Sequence, residues 1–167
     1  QGVPCATGVV PVGDAWGFTN PSLGRGISLG VMHAVDVVPE VVAHLEDPAQ
    51  MAETWARATE GRAAPWHEAT VQFDSVRGPE VEAARLGLPD PTDPGDPTVA
   101  IGRALATGSR LDRDVLGWLG EILSCVSLPG DILGRPGAFE KLVEVAGDNP
   151  PYATPGPDRA ELESLLV

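Results

Sequence analysis

The stretch from Gly8 to Val38, GVVPVGDAWGFTNPSLGRGISLGVMHAVDVV, constrains this chain more than any other. A short apolar run (Val9, Val10, Pro11, Val12) leads into Gly13-Asp14 and a polar loop to Leu23, and an amphipathic pattern begins at Gly24. The order predicts strand, loop, helix. A glycine-rich loop feeding a helix N-terminus leaves backbone N–H groups without intrahelical partners, and the helix dipole adds partial positive charge there, so this end suits an anion. Gly24 and Gly26 carry no Cβ to keep a flat ligand off the backbone, and Pro21 stiffens the approach. Asp14, just past the expected strand end, is placed to accept hydrogen bonds from ligand hydroxyls. The pattern describes a site for a ligand that bears both hydroxyls and delocalised negative charge.

Gly13-Asp14, Asn20-Pro21 and Gly24-Arg25-Gly26, in this order and spacing, resemble the second flavin-binding motif of FAD-dependent monooxygenases, a group that includes para-hydroxybenzoate hydroxylase-like enzymes, flavin-dependent halogenases and geranylgeranyl reductases. The resemblance implies an FAD cofactor, with NAD(P)H as candidate reductant and a small organic molecule as substrate. By position it implies that Asp14, preceded by Gly13, holds the ribityl hydroxyls and that Pro21 lies beside the isoalloxazine ring. The backbone of Gly24, Arg25, Gly26 and Ile27 then faces the ring's N1 and O2 edge, where preorganised N–H donors stabilise the negative charge of reduced flavin. It further implies an oxidoreductase, most directly a monooxygenase, in which the cofactor carries the redox chemistry.

The family's first motif, a Gly-x-Gly-x-x-Gly that cradles the pyrophosphate between a strand and a helix, does not occur here. With Gln1 only a few residues ahead of the expected strand, the resemblance implies the C-terminal part of a longer flavoprotein whose N-terminal FAD-binding portion is missing. The fold class expected is therefore mainly α, one short strand followed by helices, as a fragment of an α/β, Rossmann-like FAD-binding protein. Residues 1–45 would form its strand-loop-helix and residues 46–167 a helical region. A strand cut from its parallel sheet would leave an apolar face and an unpaired edge uncovered.

Twenty-four acidic residues against eleven basic ones give a formal net charge of −13, which repels phosphate backbones and anionic lipid, so neither nucleic acid nor membrane is an expected partner. The most apolar later run, Val115 to Leu128, contains Glu121 and falls short of the ~20 residues a bilayer requires. Cys5 and Cys125 lack metal-ligand or Cys-x-x-Cys spacing and read as free thiols in a reducing, cytoplasmic setting.

Along the chain, Ile27, Val31, Ala34, Val35 and Val38 recur at helical spacing and predict an inward-packed face, with a break or kink at Pro39 and a continuation through Glu40 to Leu45. Asp47-Pro48, Asp96-Pro97 and Asp112 read as N-caps of helices running to about Glu60, Thr107 and Leu128. A long helix is expected over the segment Glu60 to Arg77, with Pro65 near its start, a short one from Gly78 to Leu86, and another over Gly137 to Ala146. The run from Leu88 to Pro97, LPDPTDPGDP, is a loop, because Asp-Pro pairs and a glycine block regular structure. A Pro-rich loop over 148–157 and a terminal helix over 158–167 complete the chain.

Most chemistry-bearing residues outside the opening stretch have plain structural readings. His33, His44 and His67 form no zinc spacing and read as surface or lightly packed histidines, with His33 able to tune the site from behind. Asp90, Asp93 and Asp96 lack the glycine and terminal glutamate of a calcium loop. Trp55, Trp66 and Trp118 lie on helical patterns as core or interface residues, whereas Trp16 lies in the loop between Asp14 and Pro21, close to the expected ligand. No Ser-His-Asp or Cys-His arrangement can be assigned. A second function class, a non-enzymatic helical interaction module whose loop merely caps a helix, is supported by the long helical remainder, with the Val115 to Val126 stripe as its contact face.

Overall fold

The computed structural model describes residues 6–93, 95–147 and 159–165. Helices dominate: α1 (Gly26–Val42), α2 (Pro48–Ala58), α3 (Ala64–Leu86), α4 (Pro97–Leu111), α5 (Arg113–Leu123), α6 (Pro129–Leu133), α7 (Ala138–Ala146) and α8 (Arg159–Ser164), with 3₁₀ turns at Gly13–Ala15 and Pro21–Leu23. None of the described helices is long and apolar enough to cross a membrane. The expected strand is not formed, and no strand occurs among the described residues. Residues 9–12 run without regular structure, because a strand exists only by pairing and nothing here offers it an edge.

The three aspartates predicted as caps all perform that role. Asp47 accepts from the N–H groups of Ala49 and Gln50, Asp96 from Thr98, and Asp112 from Asp114 and Val115. The prolines inside helices behave differently from expectation. α1 runs through Pro39 to Val42, and α3 runs through Gly78-Pro79 to Leu86 as one helix. In both places the proline and the residue four positions earlier, Val35 or Ser75, are exposed, so the carbonyl released from the ladder is solvated and the break costs less. α2 and α3 are joined without a loop by a π-helical turn, Thr59–Ala63.

α5 stops at Leu123, short of the expected Leu128, in a Schellman closure. Val126 N–H donates to the Glu121 carbonyl at 2.8 Å and Cys125 N–H to the Ile122 carbonyl at 3.2 Å. Cys125 takes the left-handed conformation this closure requires, at φ 57°. Its thiol is free, as expected, while Cys5 lies outside the described residues. The loop over 148–157 and most of the terminal helix's flanks also lie outside the described residues.

Two packed groups result. α1, α2 and the π turn pack together with the Gly13–Ala15 turn, and α4 packs on α5 and α7. Leu105, Val115, Ile122, Ile132 and Leu142 form the core of the second group, with Trp118 against it. α3 bridges the two: Gln72 reaches Thr98, and buried Glu80 pairs with Arg103 of α4, which also pairs with Asp90. Of the Val115 to Val126 stripe, Val115 and Ile122 are buried in the core while Leu123 and Val126 are exposed.

α1 is turned the opposite way from its hydrophobic periodicity. The buried residues are Leu29, His33 and Val37, while Ile27, Val31, Val35 and Val38 are exposed, and Val42 and Leu45 continue that row. The reason lies in the glycines. Gly26 and Gly30 lie on the side that faces the first turn, and a Cβ added at Gly13 would stand 3.5 Å from Gly30 Cα. Only a smooth helix face admits backbone that closely.

Candidate functional site

The residues singled out in the sequence gather around the N-terminus of α1. Gly13 adopts φ 59° against Gly30, a conformation and an approach that both favour glycine. Asp14 is exposed, and one of its carboxylate oxygens lies 4.0 Å from where a Cβ on Gly26 would stand, with the hydroxyl of buried Thr19 at 3.4 Å from the same point. Gly26 therefore keeps open a small polar mouth between Asp14, Thr19 and the helix end. The N-cap residue of α1, Arg25, makes no side-chain cap hydrogen bond to the helix's first N–H groups. Pro21, Gly24 and Ile27 are exposed at the same end, and Gly24, at φ 65°, has open space around it.

Arg25 alone among these turns inward. Its guanidinium is buried, donating to the Thr70 hydroxyl of α3 at 3.0 Å and the Ile122 carbonyl at the end of α5 at 3.4 Å, 5.7 Å over the Trp66 ring. Burial pushes its pKa down, opposed by Cys125 and Asp74, and its Nε has no partner. Its side chain is thus a strut between the two helical groups, and what it offers to the mouth of the site is backbone. Asn20 anchors the loop by donating to Asp74 of α3 at 3.2 Å.

Behind the mouth lies a cavity of about 10 Å³, room for one water, lined among others by Asp14, Trp16, Thr19, Gly26, His33 and His67. Trp16 stands edge-on between two histidines, with ring centroids 5.0 Å from His33 and 5.3 Å from His67. Gly17 makes room for this, since a Cβ there would meet the His67 ring at 2.9 Å. His33 is not the lightly packed residue the sequence suggested but is 1% exposed. Gly13 N–H donates to its Nδ1 at 3.2 Å, and its Nε2 stands 2.8 Å from Thr59 Oγ1. Thr59 in turn donates to the Trp55 carbonyl at 2.8 Å, and Trp55 Nε1 donates to the Pro11 carbonyl at 2.9 Å. The chain of partners runs from the π turn back to the segment entering the site. π turns recur where a side chain must be aimed out of helical register, and this one aims Thr59 at His33 and Arg62 at Asp36. Nothing in the sequence flagged it, because Thr59–Ala63 reads as ordinary helix.

A second concavity of about 310 Å³ lies between α1, α2 and the π turn, lined by Asp36, Glu40, Thr54, Arg57, Ala58, Gly61 and Arg62. Arg62 closes on Asp36 across it with two hydrogen bonds. Asp90, Asp93 and Asp96 bind no common point: Asp90 pairs with Arg103, Asp93 accepts from Gly95 N–H, and Asp96 caps α4.

The chain matches no protein-family model, and no curated protein or solved structure is significantly similar to it.

Proposed function

We propose that this chain supplies the ribityl- and isoalloxazine-facing half of an FAD site in an FAD-dependent oxidoreductase, with monooxygenation of a small organic substrate as its activity. One observation carries the reading: Asp14 stands beside the N-terminus of α1, to which the N-cap residue Arg25 gives no side-chain cap, at a mouth that Gly26 keeps open. A carboxylate for sugar-alcohol hydroxyls and a row of N–H donors for an anionic ring edge sit side by side there. Bound flavin supplies the redox chemistry. The residues of this chain would hold and orient it: Asp14 through the ribityl hydroxyls, the backbone of Gly24 to Ile27 at the ring edge, and Pro21 alongside.

The enclosed space behind the mouth has room for a water alone, so exposed Asp14, Pro21, Gly24 and Ile27 are the residues that would hold a flat ring, and a further wall would be needed to cover it. The uncovered row on α1 starts at Ile27, itself 86% exposed, and continues through Val31, Val35, Val38, Val42 and Leu45. A nucleotide-binding sheet packed on that row would supply the wall and the pyrophosphate cradle. In the native assembly, Asp14→Ala is expected to lower flavin affinity by about 2 kcal/mol, the weight of a charged hydrogen-bonding group. Flavin retention unchanged by that substitution would count against the proposal.

The same row favours one alternative, a helical interaction module. Val31, Val35, Val38, Val42 and Leu45 alternate by four and three residues, the seam spacing of paired helices. That reading predicts association that is blind to flavin and to Asp14, and is abolished by charges on the row.

A further inference from the structure

The ring of His33 has its tautomer fixed by its neighbours. Gly13 N–H can only donate, so Nδ1, 3.2 Å away, is a bare acceptor. The single hydroxyl proton of Thr59 goes to the Trp55 carbonyl, so toward Nε2 the Thr59 oxygen accepts, and Nε2 carries the hydrogen. The buried imidazole is therefore neutral and fully committed. A second proton has one place to go, Nδ1, where it meets the Gly13 N–H head-on with no acceptor between them.

We propose that His33 is a positioning residue that holds the Gly13–Ala15 turn only while its ring is neutral, so that protonation releases the turn and, with it, Asp14 and Trp16. Beyond that bond the turn is held by packing, of Gly13 on Gly30 and of Trp16 on His67. Its remaining backbone hydrogen bonds, from Trp16 and Gly17 N–H to the Gly13 carbonyl, are internal to it, and Asp14 is exposed. Trp16 leans edge-on against His33 itself, so movement of the turn and of the indole are coupled.

The charged and titratable groups around the ring are Asp14 on the turn, Asp36 one helical turn along α1, Arg62 on the π turn and His67 across Trp16. Arg62 is committed to Asp36 by two hydrogen bonds. α2 presents the neutral Trp55 carbonyl. Burial pushes the His33 pKa down and Asp36 opposes it, so the ring is neutral at pH 7 and the release lies on the acid side of 6.5. The anchoring stands independently of any ligand, whereas its consequence for cofactor binding rests on the flavin reading.

The test is nitrogen-15 NMR of the histidine rings together with hydrogen exchange of the Gly13 amide, followed from neutral to acid pH in the intact chain. The expected result is an Nε2–H ring at neutral pH and exchange of Gly13, relative to its intrinsic rate, that rises about tenfold as His33 titrates, the weight of one hydrogen bond. His33→Asn places an uncharged oxygen where Nδ1 was, so Gly13 stays protected with no step in pH. His33→Leu lacks the acceptor and leaves Gly13 unprotected throughout; if it fails to fold, the wild-type titration and His33→Asn still decide. An Nδ1–H or cationic ring at neutral pH, or Gly13 protection indifferent to His33 titration, overturns the proposal. Flavin retention by the native assembly over the same range separates the two readings: a Gly13 step together with an assembly that never holds flavin supports the anchor and sinks the cofactor assignment.

Discussion

Arg25 and His33 show how single residues on α1 do unlike work. Arg25 is a buried cation whose hydrogen-bond partners are a hydroxyl and a carbonyl rather than a carboxylate. Its position at the end of α5, where helix carbonyls carry partial negative charge, compensates part of the desolvation. Arg25→Ala leaves the Thr70 hydroxyl and the Ile122 carbonyl each one donor short, the carbonyl keeping its bond from Cys125 N–H, and opens a void beside Trp66, so chemical denaturation is expected to show a loss of about 2–4 kcal/mol. His33 adds a pH dependence whose sign follows from its neutral burial. Its folded-state pKa lies below the unfolded value of 6.5, so the unfolded chain binds the extra proton first as pH falls. The stability His33 contributes is complete above 6.5 and declines through the interval between 6.5 and its lower folded value. Denaturation midpoints measured against pH should fall across that window in the wild type and stay level there in His33→Asn.

At the scale of elements, what the sequence disclosed was where the aspartate-capped helices start, and what it concealed was where helices end and which way they face. Asp47, Asp96 and Asp112 announce starts because a capping carboxylate acts on N–H groups two or three residues away, within one turn of chain. Asp47→Ala should cost about 1 kcal/mol, read by thermal unfolding, with Asp47→Asn nearly neutral. The burial of α1 was not legible in that way. The periodicity of Ile27, Val31, Val35 and Val38 says that a face is apolar, not that this chain covers it, and the buried face was set by Gly26 and Gly30 meeting Gly13 at long range. The gathering of Gly13, Asp14, Gly24 and Gly26 around one helix end was readable because all four sit within a short stretch; the contribution of Thr59 was not, because it arrives from a distant π turn. The close of α5 is a similar long-range effect. Glu121 there accepts from Arg135 and Ser127, which hold its carboxyl down at about 2. Its contribution is present above the unfolded value of 4.5 and is lost as pH falls toward about 2, and Glu121→Gln should remove that acid-side dependence.

On the scale of the whole molecule, the C-terminal helices bury a core of their own, whereas α1 presents a row of large apolar side chains to solvent. Scattered exposed apolar residues are ordinary, whereas a continuous helical row is the kind of surface that the proposed partner region would cover. Val31→Glu with Val38→Glu leaves buried Leu29, His33 and Val37 untouched, so unfolding should change by no more than about 0.5 kcal/mol per site. Assembly with a nucleotide-binding partner region should be lost. The most direct measurement of the central claim is the visible absorbance of flavin that copurifies with the native assembly, compared between wild type and Asp14→Ala. A flavin-bearing wild type and a depleted variant of equal stability are the predicted result. A colourless wild type, or a variant that keeps its full flavin content, would contradict the assignment of this helix end as half of an FAD site.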